Sequence, residues 1–343
     1  MHQRPHGARR HFATRLAARL AIHTAAIGVA LLAASGAQAA KISMESASGN
    51  STVGMMPQAM ASHWAAAGVD VELALDQTLT KSLLKLGQGS LDASVIPHPA
   101  YLFLRSGTGP YAKMGDKAKA LAGNVRALYA FTASTLHPIV WADSGIEKWE
   151  DVKGKRIFIG PPAGAANSMI KGLIKTASGL EEPKDYSAIK APWGAAGDAF
   201  KDGQYDVYVG AYGLGSQALA ELSLTRNIRV LSMPNTDEPP EALGVAVGKI
   251  PAKTYPGLVN DKDSIAWRTL MMLATGKDLP DDVAYKLTKT YFESIDKLKA
   301  GNAALNVLDA EDAFLGLRMP LHPGAVKYYK EKGVKIPDAL LPK

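Results

Sequence analysis

Short apolar strands alternate with helix-like segments along most of this chain, and that alternation restricts its fold more than any other feature. "KISMES" (41–46) and "VDVELAL" (69–75) are typical of strands, and "PQAMASHWAAAG" between them is typical of a helix. "KRIFIG", "YDVYVG" and "IRVLSM" continue the pattern further along the chain. The alternation predicts βαβ units, and therefore an α/β fold of mainly parallel sheets flanked by helices.

Two further segments are predicted as separate strands, "VRALYAF" (125–131) and "PIVWAD" (138–143). The C-terminal part of the chain is predicted to be mostly helical, as in "DDVAYKLTKTYFESIDKL".

The first forty residues differ in character from the rest and predict an export signal. They contain five arginines and no acid, then an apolar run near 25–34, then the triplet Ala37-Gln38-Ala39. A basic start, a short apolar centre and a small-x-small exit are the parts of a signal peptide. We expect residues 1–40 to be removed near Ala39 or Ala40, which predicts a periplasmic protein. An uncleaved anchor is the alternative, and Arg9-Arg10 leaves open whether export is by the general or the twin-arginine route.

Charge and cysteine content narrow the possible functions. Removal of the five N-terminal arginines leaves 34 basic against 32 acidic side chains, a net charge of +2. The high isoelectric point therefore belongs to the export signal, and no nucleic-acid partner is expected. The chain contains no cysteine, which excludes disulfides, thiolate metal sites and cysteine nucleophiles.

Two joints in the sequence predict two lobes with a hinge between them. One lies near "TLHPIVWADSGIE", and the other is the Pro-rich acidic connector "MPNTDEPPEALG". If the chain crosses at both, residues 41–137 and 236–343 form one discontinuous lobe and 138–235 form the other. A ligand would then bind in the cleft between the lobes.

Three polar loops follow predicted strands and precede predicted helices. They are the stretch around Ser48 to Thr52, the turn containing Gln77 and Thr78, and "GPPAGAANS" (160–168). Backbone N–H groups at a helix N-terminus favour anions, and hydroxyls and amides can donate to a carboxylate. Because Pro57 belongs in a first helical turn, we expect the first helix to begin between Gly54 and Met56, which leaves 48–53 as a loop. The alternative is that these residues only cap helices and close turns.

Candidates for catalysis are few. The histidines after residue 40 are His63, His98, His137 and His322, and their spacing matches no metal-binding motif. His98 follows a predicted strand and could line the cleft or be structural. No G-x-S-x-G motif is present. The sequence therefore predicts neither a metal nor a cofactor, and it predicts a protein that is not an enzyme.

Several motifs in one order resemble the TAXI family of extracytoplasmic solute-binding proteins, the receptors of a class of TRAP transporters. They include "LGQGSLDASVI" followed by "GTGPY", then "ADSGIEKWEDVKGKRIFIGPPAG", "DAFKDGQYDVYVGAYG" and "PLHPGAVKYYKEKGV". The resemblance implies a two-lobed periplasmic-binding-protein fold of type II that closes around a small ligand. It also implies TRAP membrane permease subunits as partners.

The chain departs from the family pattern where a ligand would be recognised. The family has Tyr-Tyr-Pro where this chain has Met55-Met56-Pro57, and Gly-Ser-Gly-Thr where it has Ala163 to Ala166. Family members are associated with glutamate and 2-oxoglutarate, whereas these substitutions indicate a less polar cleft. We therefore expect a small organic anion, a carboxylate with an apolar or aromatic body, bound by a monomer.

The expected ligand-binding residues come from both lobes. They are Ser48, Gly49, Asn50, Ser51, Thr52, Met55, Met56, Gln77, Thr78, His98, Gly164, Ala165, Ala166, Asn167, Trp193 and Tyr212. Three other functions stay open at this stage: a receptor that presents its ligand to a sensor protein, a periplasmic hydrolase or transferase, and an adhesion protein.

Overall fold

A mixed β-sheet of ten strands runs through the part of the chain that the computed structural model describes, residues 39–162, 166–234 and 239–342. The strands are β1 (Ala40–Glu45), β2 (Val69–Ala74), β3 (Ala93–Pro97), β4 (Val125–Trp141), β5 (Arg156–Phe158), β6 (Ser187–Ile189), β7 (Val207–Tyr212), β8 (Ile228–Val230), β9 (Val245–Ile250) and β10 (Ser264–Gly276). The order across the sheet is β2-β1-β3-β10-β4-β7-β5-β6, with β8 paired to β4 and β9 paired to β10.

Helices cover the faces of this sheet. They are α1 (Thr52–Ala66), α2 (Leu79–Gln88), α3 (His98–Ser106), α4 (Asp116–Ala122), α5 (Ala166–Ser178), α6 (Trp193–Lys201), α7 (Gln217–Thr225), α8 (Asp281–Gly301) and α9 (Pro323–Glu331). Short 3-10 helices connect them, among them Ala303–Val307 and Ala310–Phe314. The predicted α/β fold class is confirmed.

The pairing of the strands differs from the mainly parallel sheet that the sequence predicts. Parallel pairs are confined to the two ends, where β1 pairs with β2 and β3, and β5 pairs with β6 and β7. In the middle, β10 is antiparallel to β3, β4 and β9, and β4 is antiparallel to β7 and β8. The physical reason is that β10 lies between β3 and β4 and runs from the second core to the first, opposite to both of them.

Two long strands, β4 and β10, form the middle of the sheet. The segments predicted as two strands around 125–143 are one strand of 17 residues, β4. The prediction of a mostly helical C-terminal part is wrong for residues 245–276, which contain β9 and the 13-residue β10. The ladder between β4 and β10 is irregular between Thr269 and Leu270 and again between Leu273 and Ala274.

The buried side chains form two cores, one towards each end of β4 and β10. The first core contains buried residues from Ile42 to Ala133 and from Met272 to Leu340. The second core consists of two clusters whose buried members lie between Leu136 and Trp267. We call the intervening residues, 134–135 of β4 and 268–271 of β10, the junction. The sheet therefore joins two separately packed cores through the middle of β4 and β10.

The predicted lobes stay a prediction, because the described residues from Ala40 onwards pack as one compact unit. Packing nevertheless favours a different second boundary from the expected one at 236. Leu243, Val245 and Trp267 all pack in the second core. The chain therefore returns to the first core within β10, and not at residue 236. Residues 235–238 lie outside the described residues.

The start of α1 differs from the sequence prediction and changes the shape of the first polar loop. The helix begins at Thr52, so Thr52 and Val53 belong to it and Pro57 lies inside it. The proline cannot donate to the carbonyl of Val53 four residues earlier, and Ser46 Oγ donates to that oxygen instead, at 2.7 Å. Gly54 allows the loop to fold closely on the helix, because a Cβ there would lie 2.3 Å from the carbonyl oxygen of Ser48.

The predicted signal peptide lies outside the described residues, except that Ala39 is described and β1 begins at Ala40. No helix within the described ranges is both long and apolar enough to span a membrane.

Candidate functional site

The carboxyl ends of strands from both cores point towards the junction. β1 and β3 are parallel, and β4 runs in their direction because both β3 and β4 are antiparallel to β10. β7 is antiparallel to β4, and β5 and β6 run with β7. The loops after β1 and β3 therefore face the loops after β5, β6 and β7 across the junction. Ligands of α/β proteins commonly bind beside strand carboxyl ends of this kind.

The segment 302–307, which includes the 3-10 helix Ala303–Val307, contacts loops of both cores. On the first-core side, Thr52 Oγ1 donates to the carbonyl of Ala304 at 3.5 Å, and Asn302 Nδ2 lies 3.7 Å from Met55 Sδ. On the second-core side, a Cβ on Gly213 would lie 3.5 Å from Val307 Cγ1. The start of α1 and the loop after β7 therefore lie on the same short segment, which forms one wall of the candidate site.

The polar loop after β1 is held by its own backbone and by α1. The carbonyl of Ser48 accepts from Ser51 N and Ser51 Oγ, at 3.0 and 2.8 Å. Gln58 Nε2 donates to the carbonyl of Gly49 at 3.3 Å. Ser48 and Asn50 are exposed, and Ser51 makes no side-chain cap to α1. The first N–H groups of a helix have no intrahelical acceptor, so the start of α1 can donate to a ligand.

Two residues of α1 expected to line the cleft have different positions. Met55 is half-buried beside Asn302 and remains a candidate wall residue. Met56 is fully buried in the first core, so the prediction that it lines the cleft is wrong. The two side chains differ because successive helical residues point about 100° apart, and only Met55 points towards the 302–307 segment.

The turn after β2 packs beside the loop after β1. The backbone N–H of Gln77 donates to the carbonyl of Ser46 at 3.0 Å, and its side chain donates back to the carbonyl of Leu75 at 2.7 Å. Thr78 is exposed and precedes α2 without a side-chain cap. The hydroxyl of Thr78 is therefore more available to a ligand than the amide of Gln77.

On the second-core side, Asn167 and Trp193 lie together beside Gly160. Asn167 Nδ2 donates to the carbonyls of Ile159 and Pro161, both at 2.8 Å, so its amide group fixes the loop. Trp193 is 38% exposed and makes an edge contact with Phe158, their ring centroids 5.4 Å apart. Ala166 begins α5. Gly164 and Ala165 lie outside the described residues.

Tyr212, at the end of β7, belongs to a buried aromatic and histidine cluster. Its hydroxyl lies 2.6 Å from that of Tyr208, and its ring packs edge-on to His137. His137 Nε2 lies 2.9 Å from the hydroxyl of Tyr255, and its Nδ1 lies 2.8 Å from the carbonyl of Thr135. Burial raises the pKa of Tyr212. Tyr212 is half-buried and so presents an uncharged surface to the site.

His98 is buried beneath the connecting segments and does not line an open cleft. It is 2% exposed, and Cβ atoms on Gly244 and Gly316 would lie 2.7 Å from its Cβ and 3.4 Å from its Nδ1. Neither ring nitrogen forms a hydrogen bond of ordinary geometry among the described residues, although backbone groups of Gly316 and Met271 lie near the ring. Burial lowers the pKa of His98 to about 4, and Arg318 adds to that effect. The expectation that His98 binds ligand is therefore not supported by its position.

In the described part of the chain, no three His, Asp or Glu side chains lie close enough to hold a metal ion. Asn302, Ala304 and Val307 were not predicted from the sequence, where they carry no recognisable signal. Leu214, 44% exposed in the loop after β7, and Arg268 at the junction were also missed. A charged residue inside the apolar run "SIAWRTLMMLATG" was the signal that could have identified Arg268.

Several solved structures of known proteins are similar to this one. The periplasmic sulfonate-binding protein SsuA of Methylobacillus flagellatus is 10% identical with a TM-score of 0.50, over 89% of this chain and 81% of that one. The aliphatic sulphonate-binding SsuA of Escherichia coli is 13% identical with a TM-score of 0.44, over 88% and 96%. A TRAP periplasmic solute-binding protein of Rhodobacter sphaeroides is 14% identical with a TM-score of 0.45, over 77% and 81%.

The first of these similarities shows that the chain has the fold of periplasmic solute-binding proteins. The sequence itself matches the NMT1-like family over residues 84–333, and the protein belongs to that family. Assignment to the TAXI group stays a prediction.

Two of the three histidines buried within the described residues, His98 and His137, predict a specific loss of stability at acidic pH. Burial lowers the pKa of both His98 and His137 from 6.5 to about 4. Between these pH values the unfolded chain binds protons that the folded protein does not, so stability falls as pH decreases from about 6.5 to about 4. In urea unfolding experiments, the free energy of unfolding should be lower at pH 5 than at pH 7.5 by about 2 kcal/mol per histidine.

Substitution with glutamine separates this effect from that of the carboxylates. His98→Gln and His137→Gln should each reduce the difference in unfolding free energy between pH 7.5 and pH 5, whatever they do to stability at pH 7.5. His63→Gln, at a half-exposed position of α1, is the matched control. An unchanged pH difference in both buried variants would contradict the prediction.

Proposed function

We propose that this protein is an exported solute-binding protein that captures a small organic anion by closing its two cores around it. The observation that carries the proposal is the convergence of strand carboxyl ends from both cores on one junction. Loops of both cores meet on the 302–307 segment, so one small ligand can touch both sides. Only a ligand with contacts on both sides favours a closed state over an open one.

The two sides offer different chemistry to the ligand. The first-core side offers hydroxyls, amides and the N-terminus of α1 around Ser48 to Thr52. On the second-core side are Trp193 and Leu214, two of the four large hydrophobic side chains exposed within the described ranges. An anion with an apolar or aromatic body would satisfy both. We propose a carboxylate as the ligand class, and sulfonates, which two of the similar proteins bind, belong in any test.

Delivery to a membrane transporter completes the proposed function. The resemblance of the sequence motifs to TAXI receptors favours TRAP permease subunits as the partner. A receptor that presents its ligand to a sensor protein would use the same cleft and is the second candidate. A hydrolase centred on His98 is disfavoured, because that ring is buried and forms no hydrogen bond to a hydroxyl or carboxylate among the described residues.

A ligand panel tests the proposed class directly. Native mass spectrometry of protein purified without denaturation should reveal a co-purified small anion by its mass. Thermal-shift measurements should then show stabilisation by phenylacetate, hexanoate, benzenesulfonate or hexanesulfonate, and calorimetry should give the affinity of the best. A ligand at 100 times its Kd adds about 2.7 kcal/mol to the native state. Tight binding of glutamate without response to these four anions would contradict the proposed apolar body.

The apolar side of the cleft is tested with two exposed leucines of the second core. Leu214→Ser should weaken binding of the best anion about five- to tenfold, because closure would bury that side chain against the ligand. Leu224→Ser is the matched control, since Leu224 is 70% exposed near the C-terminus of α7 and away from the junction. Equal affinities of the two variants, measured by calorimetry, would remove Leu214 from the site.

A further inference from the structure

Arg268 lies on the face of the sheet that also carries Tyr212. Across the ladders, Arg268 pairs with Thr135 on one side and with Ala246 on the other, and Thr135 pairs with Tyr212. Directly paired residues project from the same face of a sheet. Arg268 and Tyr212 are therefore two strand spacings, about 10 Å, apart on one face. This places a cation at the junction, between the two sides of the candidate site.

The guanidinium of Arg268 is held in place by neighbouring groups. Its Nε donates to the carbonyl of Val247 at 3.3 Å, and its Nη1 lies 3.3 Å from both Thr132 Oγ1 and Asp312 Oδ1. Gly248 lets the aliphatic stem lie flat on β9, because a Cβ there would be 2.6 Å from Arg268 Cγ. These contacts orient the side chain in one direction before any ligand arrives.

The carboxylate of Asp312 contacts only part of the guanidinium group of Arg268. Asp312 accepts its shortest hydrogen bond, 2.6 Å, from Thr132, and its contacts to Arg268 are 3.3 and 3.4 Å. Charge-assisted pairs of arginine and carboxylate are typically about 2.7 to 2.9 Å long. Nη2 takes part in none of the hydrogen bonds seen among the described residues, and 31% of the Arg268 side chain is exposed, against 8% for Asp312. The Nη2 edge of the guanidinium group is therefore open to an oxyanion.

We propose that Arg268 binds the acid group of the ligand, with Asp312 and Thr132 as residues that position it. This inference rests on the proposed function, since it names the group that recognises the anion. Arginine suits the task because its planar fork matches the oxygens of a carboxylate or a sulfonate. A partly buried cation also attracts an anion more strongly than one in bulk water. The hydroxyls and amides of the 48–52 loop then contact the remainder of the ligand.

The competing interpretation is a structural ion pair. In that case Arg268 and Asp312 only join the 3-10 helix Ala310–Phe314 to the sheet, and loss of either should have the same effect. The proposal instead predicts that the two substitutions differ. Arg268→Met removes the group that binds the anion. Asp312→Asn retains that group, keeps a side-chain oxygen that can still accept from it and hold it in position, and removes a competing negative charge.

Calorimetry with the best anion of the panel, run on the wild type and four variants, decides between them. Arg268→Met should weaken binding at least about tenfold, and Asp312→Asn should stay within about threefold of the wild type or bind more tightly. Arg268→Lys, which keeps a charge but not the fork, should bind at least about threefold more weakly than the wild type. Arg156→Met is the control, because Arg156 forms a similar pair with Asp206 at the edge of the second core.

Each outcome decides between the hypotheses. Failure of every anion to bind the wild type would overturn the proposed function together with this inference. Anion binding that survives Arg268→Met, or that falls equally in Arg268→Met and Asp312→Asn, would overturn this inference alone. If Arg268→Met does not fold, as judged by circular dichroism, Arg268→Lys takes its place, and wild-type affinity in that variant would also overturn it.

Discussion

The antiparallel ladder between β4 and β10 holds the two cores of the sheet together. Within the described residues, the strands of the first core are hydrogen-bonded to those of the second through these two strands. The two register irregularities of the ladder lie at Thr269/Leu270 and Leu273/Ala274, the first of them within the junction. A pair of continuous strands resists separation of the cores but can twist or bend, which is the mechanical property that closure around a ligand requires.

The same ladder explains why the candidate site lies where it does. Because β4 carries the chain from one core to the other and β7 returns antiparallel to it, strand carboxyl ends of both cores are directed at the junction. The 302–307 segment then fills part of the space between them and contacts Thr52 and Gly213. In the proposed site, Arg268 provides the charge, the loop at 48–52 provides neutral donors, and Trp193 and Leu214 provide apolar surface.

How far the sequence predicts this arrangement depends on the element. β1, β2 and β7 were predictable because short alternating or apolar runs are bounded by turn residues. β10 was not, because its run "LMMLATG" lacks alternation and resembles a buried helix as much as a buried strand. Pro57 misled the prediction of the start of α1, since Ser46 replaces the missing donor from a position eleven residues earlier. The loop at 48–52 was identified from composition, whereas Asn302 and Asp312 reach the site through tertiary packing that no local pattern encodes.

We propose that the two cores approach each other when an anion binds between them. Because the chain has no cysteine, spin labels can be attached at single engineered cysteines, Lys81→Cys on α2 and Ala218→Cys on α7, both at exposed positions. Pulsed dipolar spectroscopy of the doubly labelled protein, with and without a saturating amount of the best-binding anion, measures the distance between the labels. We expect a shift to shorter distances on binding. An unchanged distance distribution in a sample shown by calorimetry to be saturated would contradict the claim.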